Sequence, residues 1–355
     1  MIGMKIFKTP GIDEIFDLYV AYGYVESLIR SGASEVELVP AGGTYEVHGD
    51  ADFREGLIDA LREMLSMHIA LARYSPKEGG KLISDVDFSA GANVNPSSWD
   101  SIPNHLQKIQ ERIKLNKPLK GIGGNRGITI PLALMPSAGK FLLKHFGVEG
   151  QNPVRAKTEE EILAYALAWV GFHHYTPYIR YNKGNTTWVH IYQIAPVEPI
   201  ETFELLALKD LKKHLPHYYE ERMGFLANRR LALLYHLLHT ESLGALEVLT
   251  SKEFVIRSYT LEKAGNNQAI RSFGEENIGK LMDFLWKLKA KSTYHTVRFL
   301  DSLLRKDSDA ALTLVDAVLN DRPEGLYMAL RVARRSGVVS SRSVIEGMEA
   351  FIDET

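Results

Sequence analysis

The sequence predicts an α+β fold, with a mixed N-terminal domain containing short antiparallel hairpins over residues 1–200 and a C-terminal α-helical bundle over residues 201–355. In the first part, short apolar runs bounded by turn residues alternate with segments of helical spacing. From about Ile200 the strand signals fade, and Leu-rich helical periods continue to the end. A length of 355 residues and a hydrophobic content of 45% fit two or three folded domains.

The first elements are predicted to be a helix, a hairpin and a second helix. Residues 12–32 carry apolar side chains at three-and-four spacing, which is typical of an amphipathic helix ending near Gly32. Val36–Val39 and Tyr45–Val47 flank a turn and predict a hairpin. The second helix is indicated by Leu57, Leu61, Met64, Leu65 and Leu71.

The next segment is predicted to consist mostly of loops. Residues 75–103 are rich in Gly, Ser, Pro and Asn around one predicted strand, Leu82–Phe88. A helix is expected over His105–Leu115, and a strand over Ile128–Ile130. Ser137 is suited to cap a short helix through Phe146.

A longer hairpin follows. Tyr175–Tyr181 and Thr186–Ala195 flank a four-residue Asn/Gly turn, which favours antiparallel pairing. With Tyr181 opposite Thr186, alternation places an aromatic set on one face. The set comprises Tyr175, Ile179, Tyr181, Trp188, His190 and Tyr192. We interpret this face as core, and the alternative is a base-stacking platform for single-stranded RNA.

The C-terminal part reads as consecutive helices, with Ser and Asp near starts and Gly or Pro near breaks. No repeat period indicates a solenoid. The predicted helices are 202–219, 221–240, 243–256, 276–304, 308–319, 324–335 and 341–352.

The composition excludes several function classes. With no cysteine, disulfides, thiolate zinc sites and Cys nucleophiles are excluded. The chain has no run of 18 apolar residues and no signal-peptide pattern, so we expect a cytoplasmic protein without a membrane span. Lack of Cys with abundant Glu, Lys and Arg is typical of a thermophile.

Charge is distributed unevenly along the chain. Residues 1–102 sum to −8, residues 103–230 to +7 and residues 231–355 to −1, for a net charge of −2. Residues 105–145, here called the basic band, hold eight Lys/Arg against one acid, Glu111. The eight are Lys108, Arg112, Lys114, Lys117, Lys120, Arg126, Lys140 and Lys144.

The basic band contains the Gly-rich run Gly121–Gly127. Mobile backbone N–H groups beside fixed positive charge suit a phosphate backbone, so we predict nucleic-acid contact. Gly123, Gly124 and Asn125 would form a backbone clamp, unless the run is simply a turn. The alternative for the charge pattern is that it aids solubility or domain docking.

Two further cationic groups follow. Arg331, Arg334 and Arg335 share one predicted helix and form a second predicted phosphate-contacting patch. The other group reads as solvated surface. Its members are Lys209, Lys212, Lys213, Arg222, Arg229 and Arg230.

Enzymatic motifs are incomplete. Pro136–Lys140 ends like a phosphate-binding loop but has Leu134 and Phe141 where that motif needs Gly and Ser or Thr. The glycines at 121, 123, 124 and 127 miss the dinucleotide-binding spacing by one residue. Asp85 and Asp87 lack an identifiable carboxylate partner for Mg²⁺.

Histidines occur in pairs that read as packing groups, with zinc binding as the alternative. No Glu of the His-Glu-x-x-His kind accompanies them, and we predict no metal, cofactor or catalytic residue. The pairs are His173 with His174, His214 with His217, and His236 with His239.

Three stretches of the chain resemble a known family. They are Tyr19–Tyr24, Ile128–Lys140, and Leu167–Pro177 with Trp188–Tyr192. They are similar to the Csa-type large subunit of the archaeal type I-A CRISPR effector complex, Cascade, in the eighth Cas protein family. The resemblance implies a non-enzymatic subunit that binds guide RNA and target DNA and helps recognise the protospacer-adjacent motif in antiviral defence. It also implies other Cascade subunits as partners and separate helicase and nuclease chains.

The function predicted from the sequence is therefore nucleic-acid binding without catalysis. The near-neutral net charge favours binding within an assembly over tight independent binding. Two alternatives remain: a metal-dependent nuclease built from Asp85, Asp87 or a His pair, and a purely structural scaffold whose basic face docks an acidic partner.

Overall fold

The computed structural model describes residues 4–74, 101–138, 154–183, 186–213, 218–219, 223–239, 243–264 and 267–353. The helices among these residues are α1 (Glu14–Arg30), α2 (Phe53–Tyr74), α3 (Ser101–Lys114), α4 (Glu159–Tyr175), α5 (Thr202–Lys213), α6 (Arg229–Leu238), α7 (Leu243–Thr250), α8 (Gly279–Lys306), α9 (Ser308–Leu319), α10 (Pro323–Arg335) and α11 (Arg342–Ile352). The strands are β1 (Lys5–Lys8), β2 (Val36–Pro40), β3 (Tyr45–Gly49), β4 (Ile128–Thr129), β5 (Arg155–Ala156), β6 (Tyr178–Lys183), β7 (Thr186–Pro196), β8 (Ile200–Glu201), β9 (Tyr218–Tyr219), β10 (Phe254–Ala264) and β11 (Asn267–Asn277). The predicted α+β class is confirmed.

The first sheet is antiparallel, with strand order β1-β3-β2-β8. The predicted hairpin is its centre, where Leu38 pairs with Val47 and both side chains are buried. α1 packs against β2 and β3. Its start at Glu14 follows from Asp13, which accepts hydrogen bonds from the Ile15 and Phe16 amides at 3.0 and 3.1 Å.

Helices α1 and α4 pack against each other closely because glycines lie at the contact. A Cβ atom on Gly23 would collide with the backbone of Leu167, and one on Gly171 would collide with the backbone of Tyr19. α4 begins with a complete capping box between Thr158 and Glu161. The start of each helix is therefore determined by a capping residue that immediately precedes it in the sequence.

The second sheet has strand order β11-β10-β7-β6-β9, with β6 and β9 parallel and the other pairs antiparallel. The predicted hairpin is confirmed as β6–β7, with a tighter turn than expected, since Lys183 pairs with Thr186 and Tyr181 with Trp188. Because the register differs from the predicted one by two residues, the same side chains still share one face of the hairpin. Tyr175 is an exception, because it ends α4 and does not belong to the strand.

The hairpin β10–β11 was not predicted. The predicted helix 243–256 ends at Thr250, and the predicted helix 276–304 begins at Gly279. β10 pairs with β7 along eleven residues, so its strand structure depends on a partner distant in sequence. The predicted segments 1–200 and 201–355 thus share one sheet, and their status as separate domains stays a prediction.

The aromatic face of the hairpin is mostly core, as interpreted from the sequence. Ile179, Tyr181, His190 and Tyr192 are all buried. Trp188 is the exception, because it is only half-buried.

The C-terminal helices α8 to α11 confirm the predicted helical periods. α8 packs against α7, α9 and α11, and extended backbone at Ser292 breaks the helix. Among the residues that the structure describes, no helix is both long and apolar enough to span a membrane.

Candidate nucleic-acid interface

Helix α3 carries the first part of the basic band. It buries Ile102, Leu106 and Ile109 and leaves Lys108 and Lys114 exposed. This division follows from the three-and-four spacing of the apolar residues.

The helix ends at a left-handed residue, Asn116, with φ of 50°. The Asn116 amide donates to the Ile113 carbonyl at 3.1 Å, and the Lys117 amide donates to the Arg112 carbonyl at 2.8 Å. This arrangement is a Schellman motif, and it turns the chain away from the helix axis.

Arg112 anchors the loop that follows α3. Its Nη1 atom donates to the carbonyl oxygens of Pro118 and Lys120, both at 2.8 Å. Arg112 therefore positions the glycine-rich run through its backbone, and its predicted phosphate contact would use its remaining N–H donors.

The glycine-rich run makes consecutive turns that require glycine. Gly121, Gly123, Gly124 and Gly127 all have φ between 68° and 88°. A Cβ atom on Gly123 would lie 2.7 Å from the Gly127 carbonyl carbon, and one on Gly127 would lie 2.5 Å from the Ala156 oxygen. The loop conformation is thus inaccessible to other residues at these two positions.

Strand pairing brings two further cations to this loop. β4 pairs with β5, so Arg155 lies opposite Thr129, and its Nη1 atom donates to the Arg126 carbonyl at 3.4 Å. Lys157 follows β5 and packs beside Gly127. Lys120, Arg126, Arg155 and Lys157 form what we call the glycine-loop cluster.

Sequence reasoning missed Arg155 and Lys157 because they lie outside the basic band. The alternation Val154-Arg-Ala-Lys157 was the available signal, since it places two cations on one face of a short strand.

The exposed cations of the band are available to bind anions. Lys108, Lys114, Lys117, Lys120 and Arg126 make no ion pair with an acid in the described part of the chain. Such side chains can replace the counterions of a phosphate backbone.

Two lysines of the basic band, Lys114 and Lys117, line hollows that also contain acidic side chains. Lys117 lines a hollow of about 700 Å³ that Glu159 and Glu160 also line. Lys114 lines a second hollow, of about 890 Å³, which three acids also line. These acids are Asp50, Asp52 and Glu55. Arg54 lines both hollows as well. The acids offset part of the positive charge there, which weakens the attraction of Lys114 and Lys117 for a polyanion.

Some predicted site residues lie outside the described residues. Lys140 and Lys144 are among them, and their role stays a prediction. The same holds for Asp85 and Asp87 of the nuclease alternative.

Helix α10 presents the second predicted patch. Arg331, Arg334 and Arg335 are exposed on one side of the helix, with Tyr327 and Met328 exposed one turn earlier. None of the three arginines pairs with an acid among the described residues. We call this surface the α10 patch.

Four members of the remaining cationic group are held by contacts within the protein, in contrast to the interpretation of the group as solvated surface. Lys209 pairs with buried Glu26, and Lys212 is buried with its Nζ atom 5.8 Å from the Tyr178 ring centre. Arg229 and Arg230 both pair with Glu276. Lys213 and Arg222 have no described side chain.

The paired histidines that the structure describes are packing groups, with His173 and His239 against the rings of His174 and Tyr235. His174 is buried in α4, and burial holds its pKa well below the usual range. His236 is fully buried in α6. No group of three or more potential metal ligands occurs within the described ranges. His214 and His217 lie outside them.

Comparisons with known proteins agree across nearly the whole chain. A family model described as "CRISPR-associated protein (Cas_Csa4)" matches residues 5–355. A relative from Methanocaldococcus jannaschii, named CRISPR-associated protein Cas8a2/Csa4, is 48% identical over 337 residues. The aligned part covers 92% of this chain and 88% of the relative.

Proposed function

The chain belongs to the Csa4 family of CRISPR-associated proteins, and on that premise we propose that it is the non-catalytic large subunit of a type I-A interference complex. In this role it binds guide RNA and target DNA and helps recognise the protospacer-adjacent motif during antiviral defence. Its partners are the other Cascade subunits, while separate chains supply helicase and nuclease activity.

The glycine-loop cluster is the observation that supports this proposal most directly. Four cations surround a loop whose Gly121 and Gly123 amides have no hydrogen-bond acceptor among the described residues. Amide N–H groups next to Lys and Arg bind phosphate oxygens through charge-assisted hydrogen bonds. A backbone contact of this kind positions nucleic acid without reading its sequence.

The α10 patch supports a second contact. Its arginines make no ion pair within the described ranges, and Tyr327 offers a ring beside them. Arginine and tyrosine together suit a phosphate backbone with unstacked bases.

The net charge of −2 favours function within an assembly. A chain with nearly balanced charge attracts a polyanion only through local patches, so neighbouring subunits would add to the affinity. Binding is therefore best measured with the assembled complex as well as with the full-length chain.

The proposal is tested by neutralising the glycine-loop cluster. A variant with Lys120, Arg126, Arg155 and Lys157 changed to Gln is compared with wild type for binding guide RNA and motif-containing duplex DNA. Affinity is measured at about 50 and 200 mM salt. For duplex DNA, the slope of log affinity against log salt should become shallower by roughly 0.9 for each phosphate that the variant no longer neutralises.

The control variant removes the same charge elsewhere. It changes four other exposed cations, Lys5, Lys291, Arg322 and Arg342, to Gln. If the two variants show equally reduced affinity and salt dependence, net charge and not the loop governs binding, and the assignment of the cluster fails.

The same complexes also test the non-catalytic assignment. Nucleic acid is incubated with Mg²⁺ or Mn²⁺ in the absence of the nuclease chain. Cleavage by wild type that Asp87→Ala abolishes would contradict the proposal and support a metal-dependent nuclease.

A further inference from the structure

A groove of about 530 Å³ lies on the second sheet, and no member of the glycine-loop cluster is among its described lining residues. Strands β7, β10 and β11 form its floor, and the start of α6 forms one wall. Its lining includes Trp188, Arg229, Arg230, Thr260, Arg271 and Ser272.

Aromatic surface is accessible in this groove. Trp188 is half-buried and stacks on the buried ring of Tyr181, with ring centres 5.6 Å apart. Trp188 is thus the one member of the predicted aromatic face that lies at a surface.

Three arginines converge on the same groove, and ion pairs hold each one in place. Arg271 binds Glu262 through Nε and Nη2, at 2.7 and 3.4 Å. Arg230 binds Glu276 through Nε at 2.8 Å and Asp316 through Nη1 at 2.5 Å. The Nη1 group of Arg271 and the Nη2 group of Arg230 have no acceptor in the described part of the chain. These groups can donate to a phosphate oxygen without breaking the ion pairs.

The position of Arg229 depends on a glycine. A Cβ atom on Gly274 would collide with the Nη2 atom of Arg229, so the guanidinium lies directly over β11. Its Nη1 atom donates to the Ser258 carbonyl at 3.5 Å. The wall of the groove is therefore built by packing and does not consist of loose surface side chains.

A chain of hydrogen bonds orients the hydroxyl groups of the floor. The Nε2 atom of His190 is 2.8 Å from the Leu226 carbonyl, which can only accept, so Nε2 carries the proton. Burial lowers the pKa of His190 to about 4, so the ring is neutral near pH 7 and Nδ1 accepts. Thr260 therefore donates to Nδ1 at 2.8 Å, and Ser272 donates to Thr260 at 2.8 Å.

This order of donors determines what Ser272 offers to a ligand. Its proton is used within the protein, so its oxygen faces the groove as an acceptor. The groove thus combines aromatic surface, guanidinium donors for an anion and one acceptor for an N–H or O–H group.

We infer that this groove binds one nucleotide of a single strand whose base is unpaired. The base packs on Trp188, the adjacent phosphate binds Arg230 and Arg271, and Ser272 accepts a hydrogen bond from the base or the sugar. The inference rests on the proposed nucleic-acid-binding function and adds a separate site to it. A base within a duplex is stacked on both faces and cannot enter.

The test uses tryptophan fluorescence and affinity with the full-length chain. Single strands of RNA and of DNA, each about ten nucleotides long, are compared with a duplex of the same sequence. We expect single strands to quench fluorescence in wild type, and Trp188→Phe to abolish that quenching. The control Trp286→Phe, which removes another half-buried indole, should keep it.

Arg271→Gln provides the second measurement. It should weaken single-strand binding roughly tenfold and leave duplex binding unchanged. Arg305→Gln is the matched control, because Arg305 is also exposed and binds one carboxylate, Asp301, through a similar pair of contacts. Tighter binding of RNA than of DNA that Ser272→Ala removes would show that Ser272 accepts from the ribose 2′-hydroxyl group.

The outcomes separate this inference from the proposed function. Equal quenching in Trp188→Phe and wild type, or an Arg271→Gln affinity within twofold of wild type, would overturn the groove while the glycine-loop cluster stands. Failure of the wild-type chain to bind any single strand would overturn the groove as well. The proposed function would then still be judged by the cluster variants in the assembled complex.

Discussion

The Nζ atom of Lys209 lies 2.8 Å from the Oε1 atom of Glu26, a carboxylate with no solvent exposure. Arg30 contacts the same oxygen at 2.6 Å and extends to Asp59 and Glu63 on α2. One buried carboxylate therefore joins α1 to α5, and through Arg30 to α2. Sequence spacing alone suggested a solvated surface for Lys209.

Replacing Glu26 with Ala should destabilise the protein by about 1.5–3 kcal/mol, because Lys209 loses its carboxylate partner while Arg30 keeps Asp59 and Glu63. Urea unfolding followed by circular dichroism measures the change. Arg342→Gln is the control, since the Arg342–Glu346 pair is exposed and should leave the unfolding midpoint unchanged. A Glu26→Ala midpoint equal to wild type would show that the pair is not structural.

Gly171→Ala should destabilise the protein by about 1–3 kcal/mol or more, because the new methyl group would push α4 away from α1. Thermal unfolding measures the effect. Gly244→Ala is the matched control, because Gly244 lies in α7 with open space around it. That substitution should be neutral or stabilising by roughly 0.5–1 kcal/mol. Equal effects of the two changes would contradict the close helix contact.

Stability should fall as the pH is lowered from about 6.5 towards 4. Burial lowers the pKa of His190 to about 4, so the folded protein keeps this ring neutral where the unfolded chain binds a proton. Excess proton binding by the unfolded chain makes unfolding more favourable at lower pH, by up to about 1.4 kcal/mol per pH unit.

The pH effect is measured by urea unfolding of wild type and His190→Gln across that window. The variant should be less stable near neutral pH but should show a shallower pH dependence. Identical pH slopes for the two proteins would rule out His190 as a source of the effect.

Changing Arg331, Arg334 and Arg335 together to Gln should weaken nucleic-acid binding without changing stability. The three side chains are exposed and unpaired among the described residues, so their removal costs no packing. The salt slope for duplex DNA should become shallower by roughly 0.9 for each phosphate that these arginines neutralise in wild type. Filter binding at several salt concentrations measures this slope, with Arg342→Gln as control. An unchanged slope would remove the α10 patch from the proposed interface.

Much of the secondary structure was predictable because its signals are local. Helix α1 has its N-cap at Asp13, and its apolar residues recur at helical spacing. Strands β6 and β7 flank a turn whose residues accept left-handed backbone angles. The hairpin β10–β11 was missed although the sequence between its strands, Gly265-Asn266, is a hairpin turn signal. Its strand β10 also pairs with β7, more than fifty residues earlier, which local patterns cannot show.

The candidate site was predictable only in part, for the same reason. The basic band and the glycine run are visible as composition. The contribution of Arg155 and Lys157 is not, because β5 reaches the loop by pairing with β4. The acids that line the same hollows as Lys114 and Lys117 come from other helices and loops, so charge counted along the chain could not reveal them.

The α+β class, the family resemblance and the location of the cationic loop could all be read from the amino-acid sequence, since helix periodicity, turn chemistry and local charge depend on neighbouring residues. Which cations stay free and which are neutralised, as Lys209 is by Glu26, became evident only from the folded chain. The same is true of Trp188, which lines a groove with Arg271 while the rest of its aromatic face is core. Burial and ion pairing depend on residues that folding brings together from distant parts of the chain.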